Sequence, residues 1–71
     1  MKARPCFNCG EAPITSKGDR TYRVRVEHMT PTCPYAFTAY HHSEDLAIAK
    51  WNEWIAEKEN ARIAEGARRA G

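Results

Sequence analysis

Apolar and polar residues alternate with a period of two through Thr21-Tyr22-Arg23-Val24-Arg25-Val26-Glu27, the pattern of a strand with one buried face. Tyr22, Val24 and Val26 share that face, His28 continues it, and Arg23 and Arg25 take the other. A shorter run around Ile14 precedes the turn signal Lys17-Gly18-Asp19-Arg20. After an interruption carrying Pro31 and Pro34, which cannot donate to a ladder, Ala36-Phe37-Thr38-Ala39-Tyr40 reads as a further strand. The pattern predicts a three-stranded antiparallel meander within residues 12–41.

The period then changes. Ser43 is a suitable N-cap, Glu44 and Asp45 place negative charge where the helix dipole favours it, and no proline follows. At 100° per residue Ala47, Ile48, Trp51, Trp54 and Ile55 fall in an arc of about 120°, the width of a stripe that covers a core. Trp51 and Trp54 are therefore read as core residues rather than as platforms for nucleobases. Beyond residue 57 the stripe breaks, because Lys58 and Arg62 arrive on its face and Gly66 weakens the helix. Residues 1–57 are expected to form the packed domain, and residues 58–71 a helix extension whose basic end frays or protrudes.

Length sharpens this picture. A core built from 71 residues rarely supplies more than about 3–5 kcal/mol by itself, so a staple is expected. Three cysteines, at positions 6, 9 and 33, fit a disulfide framework poorly because their number is odd. The opening Met-Lys-Ala-Arg-Pro carries no apolar run, so neither a signal peptide nor a membrane span is expected. A reducing cytoplasm is the expected compartment, where cysteine clusters more often hold metal than form bridges.

Cys6-x2-Cys9, with Gly10 behind it, reads as a metal knuckle, and His28-x4-Cys33 is the best second pair, in a loop constrained by its prolines. Cys6, Cys9, His28 and Cys33 would close a tetrahedron around one structural Zn2+ and leave no position for a reacting water. His41 and His42, just before the helix, are alternatives to His28 as the fourth ligand. The redox reading of the Cys pair is weaker, since thioredoxin-like motifs sit in a larger α/β unit than this chain can build. The expected architecture is thus α+β: a small zinc-ribbon-like three-stranded antiparallel sheet with one C-terminal helix. No nucleophile and base stand at recognisable spacing, and no enzyme activity is expected.

Charge adds little. The formal net charge is +2, with six Lys/Arg against three Asp/Glu over residues 1–42 and five against six over residues 43–71. That excludes an acidic DNA mimic without demanding nucleic acid. Arg20, Arg23 and Arg25, with Lys17 and Arg4 near in sequence, are candidate contacts to phosphate or to a protein partner, the plain alternative being a solvated strand face. Tyr35, Phe37 and Tyr40 could interleave some of them with aromatic rings, and Arg62 to Arg69 form a basic tail.

In order along the chain, "RPCFNCGEAP", "YRVRVEH" and "SEDLAIAKWNEW" resemble the Cys knuckle, the strand leading to the second ligand pair and the closing helix of the Lar family of restriction alleviation proteins. The likeness spans roughly residues 3–55 and is strongest at Cys6, Cys9, Gly10, Ala47, Ile48, Trp51 and Asn52. Phe7-Asn8 and His28-x4-Cys33 depart from the family's C-P-x-C-G and C-x2-C-G. The resemblance implies a phage or prophage accessory protein that binds a component of a host type I restriction–modification system and lessens cleavage of incoming DNA. Two other readings stay open: a nucleic-acid-binding zinc ribbon, and a non-enzymatic structural or assembly part of a phage. A dimer formed through the helix is compatible with any of them.

Overall fold

The structure is a computed structural model describing residues 2–70; for residues 67–70 only the backbone is described, so Arg68 and Arg69 of the basic tail lie outside the described side chains. Strands β1 (Ile14–Lys17), β2 (Val24–His28) and β3 (Phe37–His41) form an antiparallel sheet in the order β1-β2-β3, and helix α1 (Glu44–Ala70) packs on it. This is the α+β arrangement that the alternation and the helical stripe predict.

The start of β2 differs from the sequence expectation. Alternation begins at Thr21, but the strand begins at Val24. Asp19 is the cause: its carboxylate accepts the backbone N–H of Thr21 at 2.9 Å and of Tyr22 at 2.7 Å, while its own N–H donates to the Tyr22 carbonyl at 2.8 Å. A side chain that captures nearby N–H groups offers them an alternative to the ladder, and residues 19–22 close a turn. Gly18 is needed beside it, because a Cβ there would run into the carbonyl oxygen of Tyr22. Tyr22 is left outside the strand, exposed, with its ring tilted against His42 at 5.0 Å.

Within β2 the alternation holds. Val24, Val26 and His28 pair with His41, Ala39 and Phe37 of β3, and Val26 and His28 are buried beneath α1. Ser43 caps the helix, its hydroxyl accepting the Leu46 N–H at 3.2 Å and its carbonyl the Ala47 N–H at 3.1 Å. Ala47, Ile48, Trp51 and Ile55 are buried as the stripe predicts, and half-buried Trp54 leans on Phe37, ring centroids 5.0 Å apart. Cys6 and Cys33 lie in the same apolar cluster as Val26, Trp51 and Ile55. Two of the cysteines expected to hold a metal are therefore part of the core.

Two adjacent helix residues anchor the start of the chain. The indole N–H of fully buried Trp51 donates to the Arg4 carbonyl at 2.8 Å, which gives the ring's polar edge the partner it needs. Asn52 accepts the Arg4 N–H at 2.8 Å and donates to the Lys2 carbonyl at 3.2 Å. Residues 2–4 thus lie along α1, and Cys6 enters the core directly after them.

At 27 residues α1 is about 40 Å long, against about 17 Å for a five-residue strand, so it overruns the sheet. The longest dimension of the chain, 50 Å, reflects this. Where the apolar stripe ends, Lys58 places its ammonium 5.4 Å from the centre of the Trp54 ring, and Arg62 its guanidinium 5.7 Å from that of Phe7. The inward face of α1 continues past Ile55 with cations over aromatic rings.

Candidate metal centre

The first cysteine pair stands on a turn that its own backbone bonds hold in shape. Cys6 N–H donates to the Glu11 carbonyl at 2.9 Å and Gly10 N–H to the Cys6 carbonyl at 2.8 Å, while Gly10 adopts a φ of +79° that side-chain-bearing residues rarely tolerate. The second pair comes from the end of β2 and the loop after it. His28 is the last residue of β2, and Cys33 closes a turn through its N–H to the Thr30 carbonyl at 3.0 Å.

These two segments bring the side chains of Cys6, Cys9, His28 and Cys33 together, with all four donor atoms within 4.8 Å of one another. Cys6 Sγ lies 3.7 Å from Cys33 Sγ, and Cys9 Sγ lies 3.3 Å from His28 Nε2. A zinc tetrahedron with Zn–S near 2.3 Å and Zn–N near 2.0 Å has S···S edges of about 3.8 Å and S···N edges of about 3.5 Å, so these two spacings match edges of that size. All three cysteines are free thiols. The set is compatible with one bound metal ion.

The orientation of His28 is fixed from behind. Its Nδ1 stands 2.7 Å from the main-chain oxygen of Tyr35. A carbonyl can only accept, so Nδ1 carries the proton and, in the neutral ring, Nε2 turns its lone pair to the sulfurs. The ring is buried and rests on Trp51 at a centroid distance of 4.8 Å. A hydrogen bond from the far ring nitrogen is the usual support of a metal-binding histidine.

The sulfurs differ in environment. The Cys9 pKa is pulled down to about 6, chiefly by the backbone N–H of Glu11; burial, the next largest effect, opposes this, and His28, the Thr30 hydroxyl and Cys6 each favour the thiolate to a smaller degree. Cys6 is pushed up by burial, which outweighs the backbone N–H groups of Cys9 and Asn8. Cys33 receives a side-chain donor, the Asn8 amide N–H at 3.4 Å, and Asn8 is in turn held by Arg62, whose Nη1–H donates to Asn8 Oδ1 at 2.7 Å.

The other histidines stand elsewhere. His41 ends β3 and lines a groove of about 300 Å³ with Phe37, Ala39, Lys50, Glu53, Trp54 and Glu57, while His42 stacks on Tyr22. Neither joins the four donors, so His28 is the histidine of the cluster. Among the arginines considered for phosphate contact, Arg20 and Arg23 are exposed, Arg20 within the β1–β2 turn and Arg23 at its end. Arg25 is engaged, paired with Glu27 and lying 6.0 Å from the Tyr40 ring, and the Glu27 carboxylate raises its pKa.

Asn8 and Arg62 are members of the site that sequence spacing did not reveal. The available signal was the recurrence of Trp54, Lys58 and Arg62 at intervals of four, which puts two cations on the core-facing side of the helix. Among the described residues no helix is long and apolar enough to cross a membrane. No family model, curated protein or solved structure matches the chain.

Proposed function

We propose that this protein is a small zinc-binding accessory protein, in which Cys6, Cys9, His28 and Cys33 hold one structural Zn2+ and the folded surface acts by binding another protein. The observation that carries the metal reading is the seating of His28 in the donor cluster: Nδ1 lies 2.7 Å from the Tyr35 carbonyl oxygen, and Nε2 lies 3.3 Å from Cys9 Sγ and within 4.8 Å of the other two sulfurs. Three sulfurs and one imidazole suit zinc better than oxygen-seeking ions such as calcium or magnesium. Four protein donors fill a tetrahedron, so the ion's role is to tie β2 and its following loop to the N-terminal knuckle rather than to activate water.

The likeness to Lar proteins extends the reading to a phage or prophage product that eases restriction by a host type I system, through contact with one of its protein components in the bacterial cytoplasm. Its support is the ordered match of knuckle, strand and helix, together with a physical reason for Trp51-Asn52: both residues hold the segment that leads into Cys6. The test is the plating efficiency of unmodified phage on a restricting host. Expression of the protein should raise it and expression of Cys6→Ser should not; equal plating with and without the protein rejects this part of the proposal.

Nucleic-acid binding is the second reading, favoured by exposed Arg20 and Arg23 beside exposed Tyr22 at the hairpin turn. It requires affinity for duplex DNA to fall with salt at a slope of about −0.9 for each phosphate neutralised.

A further inference from the structure

We infer that Asn8 and Arg62 form a relay that retains the metal: Arg62, from the part of α1 beyond the sheet, orients the Asn8 amide so that it donates to the Cys33 sulfur and slows release of the ion. The inference rests on the metal reading proposed above and concerns two residues outside the ligand set.

The geometry is directional. An amide has two faces to satisfy, and a carboxamide free in water rotates between them. Arg62 Nη1–H claims Asn8 Oδ1 at 2.7 Å, which leaves Asn8 Nδ2–H pointing at Cys33 Sγ, 3.4 Å away. Without the guanidinium nothing else in the relay fixes which end of the amide faces the sulfur. Arg62 is itself seated, since its guanidinium lies over the Phe7 ring and Phe7 packs on Tyr35 at 4.9 Å. Tyr35 is the residue whose carbonyl holds His28. The contacts that seat Arg62 thus share Tyr35 with the histidine side of the site, while Arg62 acts on the sulfurs through Asn8.

Charge points the same way. Zn2+ with three thiolates and a neutral imidazole carries a net charge of −1, and a cation connected through a polarised amide offsets part of it. An N–H donor to a metal-bound thiolate draws density from sulfur and makes the ligand slower to protonate and leave. Asn8 and Arg62 are exposed, so truncating either removes no part of the core.

The experiment compares zinc transfer to excess chromophoric chelator for the full chain and for Asn8→Ala, Arg62→Ala, the double variant and Lys58→Ala, each confirmed to carry one zinc by native mass spectrometry. Supporting partners of metal ligands are worth about 10–100-fold, and each single relay variant should release zinc roughly tenfold faster. The double variant should match Asn8→Ala, because the arginine acts through the amide, and Lys58→Ala, whose cation covers only Trp54, should match wild type. In the cobalt-substituted protein the sulfur-to-metal charge-transfer band should move to lower energy in both relay variants, a change that loosening the helix alone does not produce. Wild-type rates and an unshifted band in both variants overturn the relay while leaving the metal reading intact. So does a double variant whose effect is the product of the two singles, or a Lys58→Ala protein as leaky as Arg62→Ala. A wild-type chain that takes up no zinc overturns the metal reading and this inference with it.

Discussion

His28 and Tyr35 are joined by a ring-to-backbone hydrogen bond of 2.7 Å that settles which imidazole nitrogen faces the cysteines. The bond links the end of β2 to the chain just before β3, so the loop that delivers Cys33 is closed by the same residue that delivers the nitrogen donor. Replacing His28 by alanine should remove a ligand and the brace of that loop together. Zinc affinity, measured by chelator competition, should fall by more than the roughly 100-fold upper range for supporting residues. An affinity within about tenfold of wild type would return the fourth position to His41 or His42.

Cys6 belongs to both the core and the metal set. Cys6→Ser should therefore abolish the native circular dichroism spectrum, because loss of the ion removes more than the about 3–5 kcal/mol that a core of this size provides. Addition of a strong chelator to wild type should reproduce the effect. A native spectrum and an unchanged melting temperature in the variant would sink the structural-metal reading.

Asn52→Ala should cost about 1–2 kcal/mol, the sum expected for two exposed hydrogen bonds to the N-terminal segment, read as a lower denaturant midpoint. Zinc stoichiometry should stay at one ion per chain. Asn52→Asp keeps the acceptor for Arg4 N–H but loses the donor to the Lys2 carbonyl, and should fall between the two.

Gly18→Ala should lower the melting temperature although residue 18 lies far along the chain from any metal ligand. An added Cβ meets backbone rather than a movable side chain, so the turn must open. The expected cost is about 1–3 kcal/mol, with amide shift changes centred on residues 18–23. Unchanged stability would mean that the turn has another conformation of equal energy.

Ser43→Ala should cost about 0.5–2 kcal/mol through loss of the hydroxyl that caps Leu46 N–H. Hydrogen exchange should quicken in the first turn of α1 and stay unchanged near Ile55.

The elements and the members of the donor cluster were legible because periodicity and short spacings report them. Val24, Val26 and His28 announce a buried strand face, Ala47, Ile48, Trp51 and Ile55 a helix stripe, and Cys6-x2-Cys9 a knuckle. The start of β2 was not legible from alternation, because the Asp19 carboxylate competes for the backbone donors of Thr21 and Tyr22 and wins them for a turn. Nor were the partners of Asn8 and Asn52. Arg62 meets Asn8 across 54 positions and Asn52 meets Lys2 across 50, and side-chain bonds at such separations leave no local pattern. The choice between His28 and the pair His41 and His42 likewise needed three dimensions, since all three carry the same chemistry and only one stands at the sulfur end of the sheet.

The order of residues along the chain has a consequence for synthesis. Cys6, Cys9, His28 and Cys33 all precede residue 34, whereas Trp51, Ile55 and Arg62, which enclose or brace them, follow residue 50. As a ribosome makes this protein from its N-terminus, every donor atom emerges before the helix that covers them has emerged. A metal ion taken up at that stage would be enclosed when the helix follows.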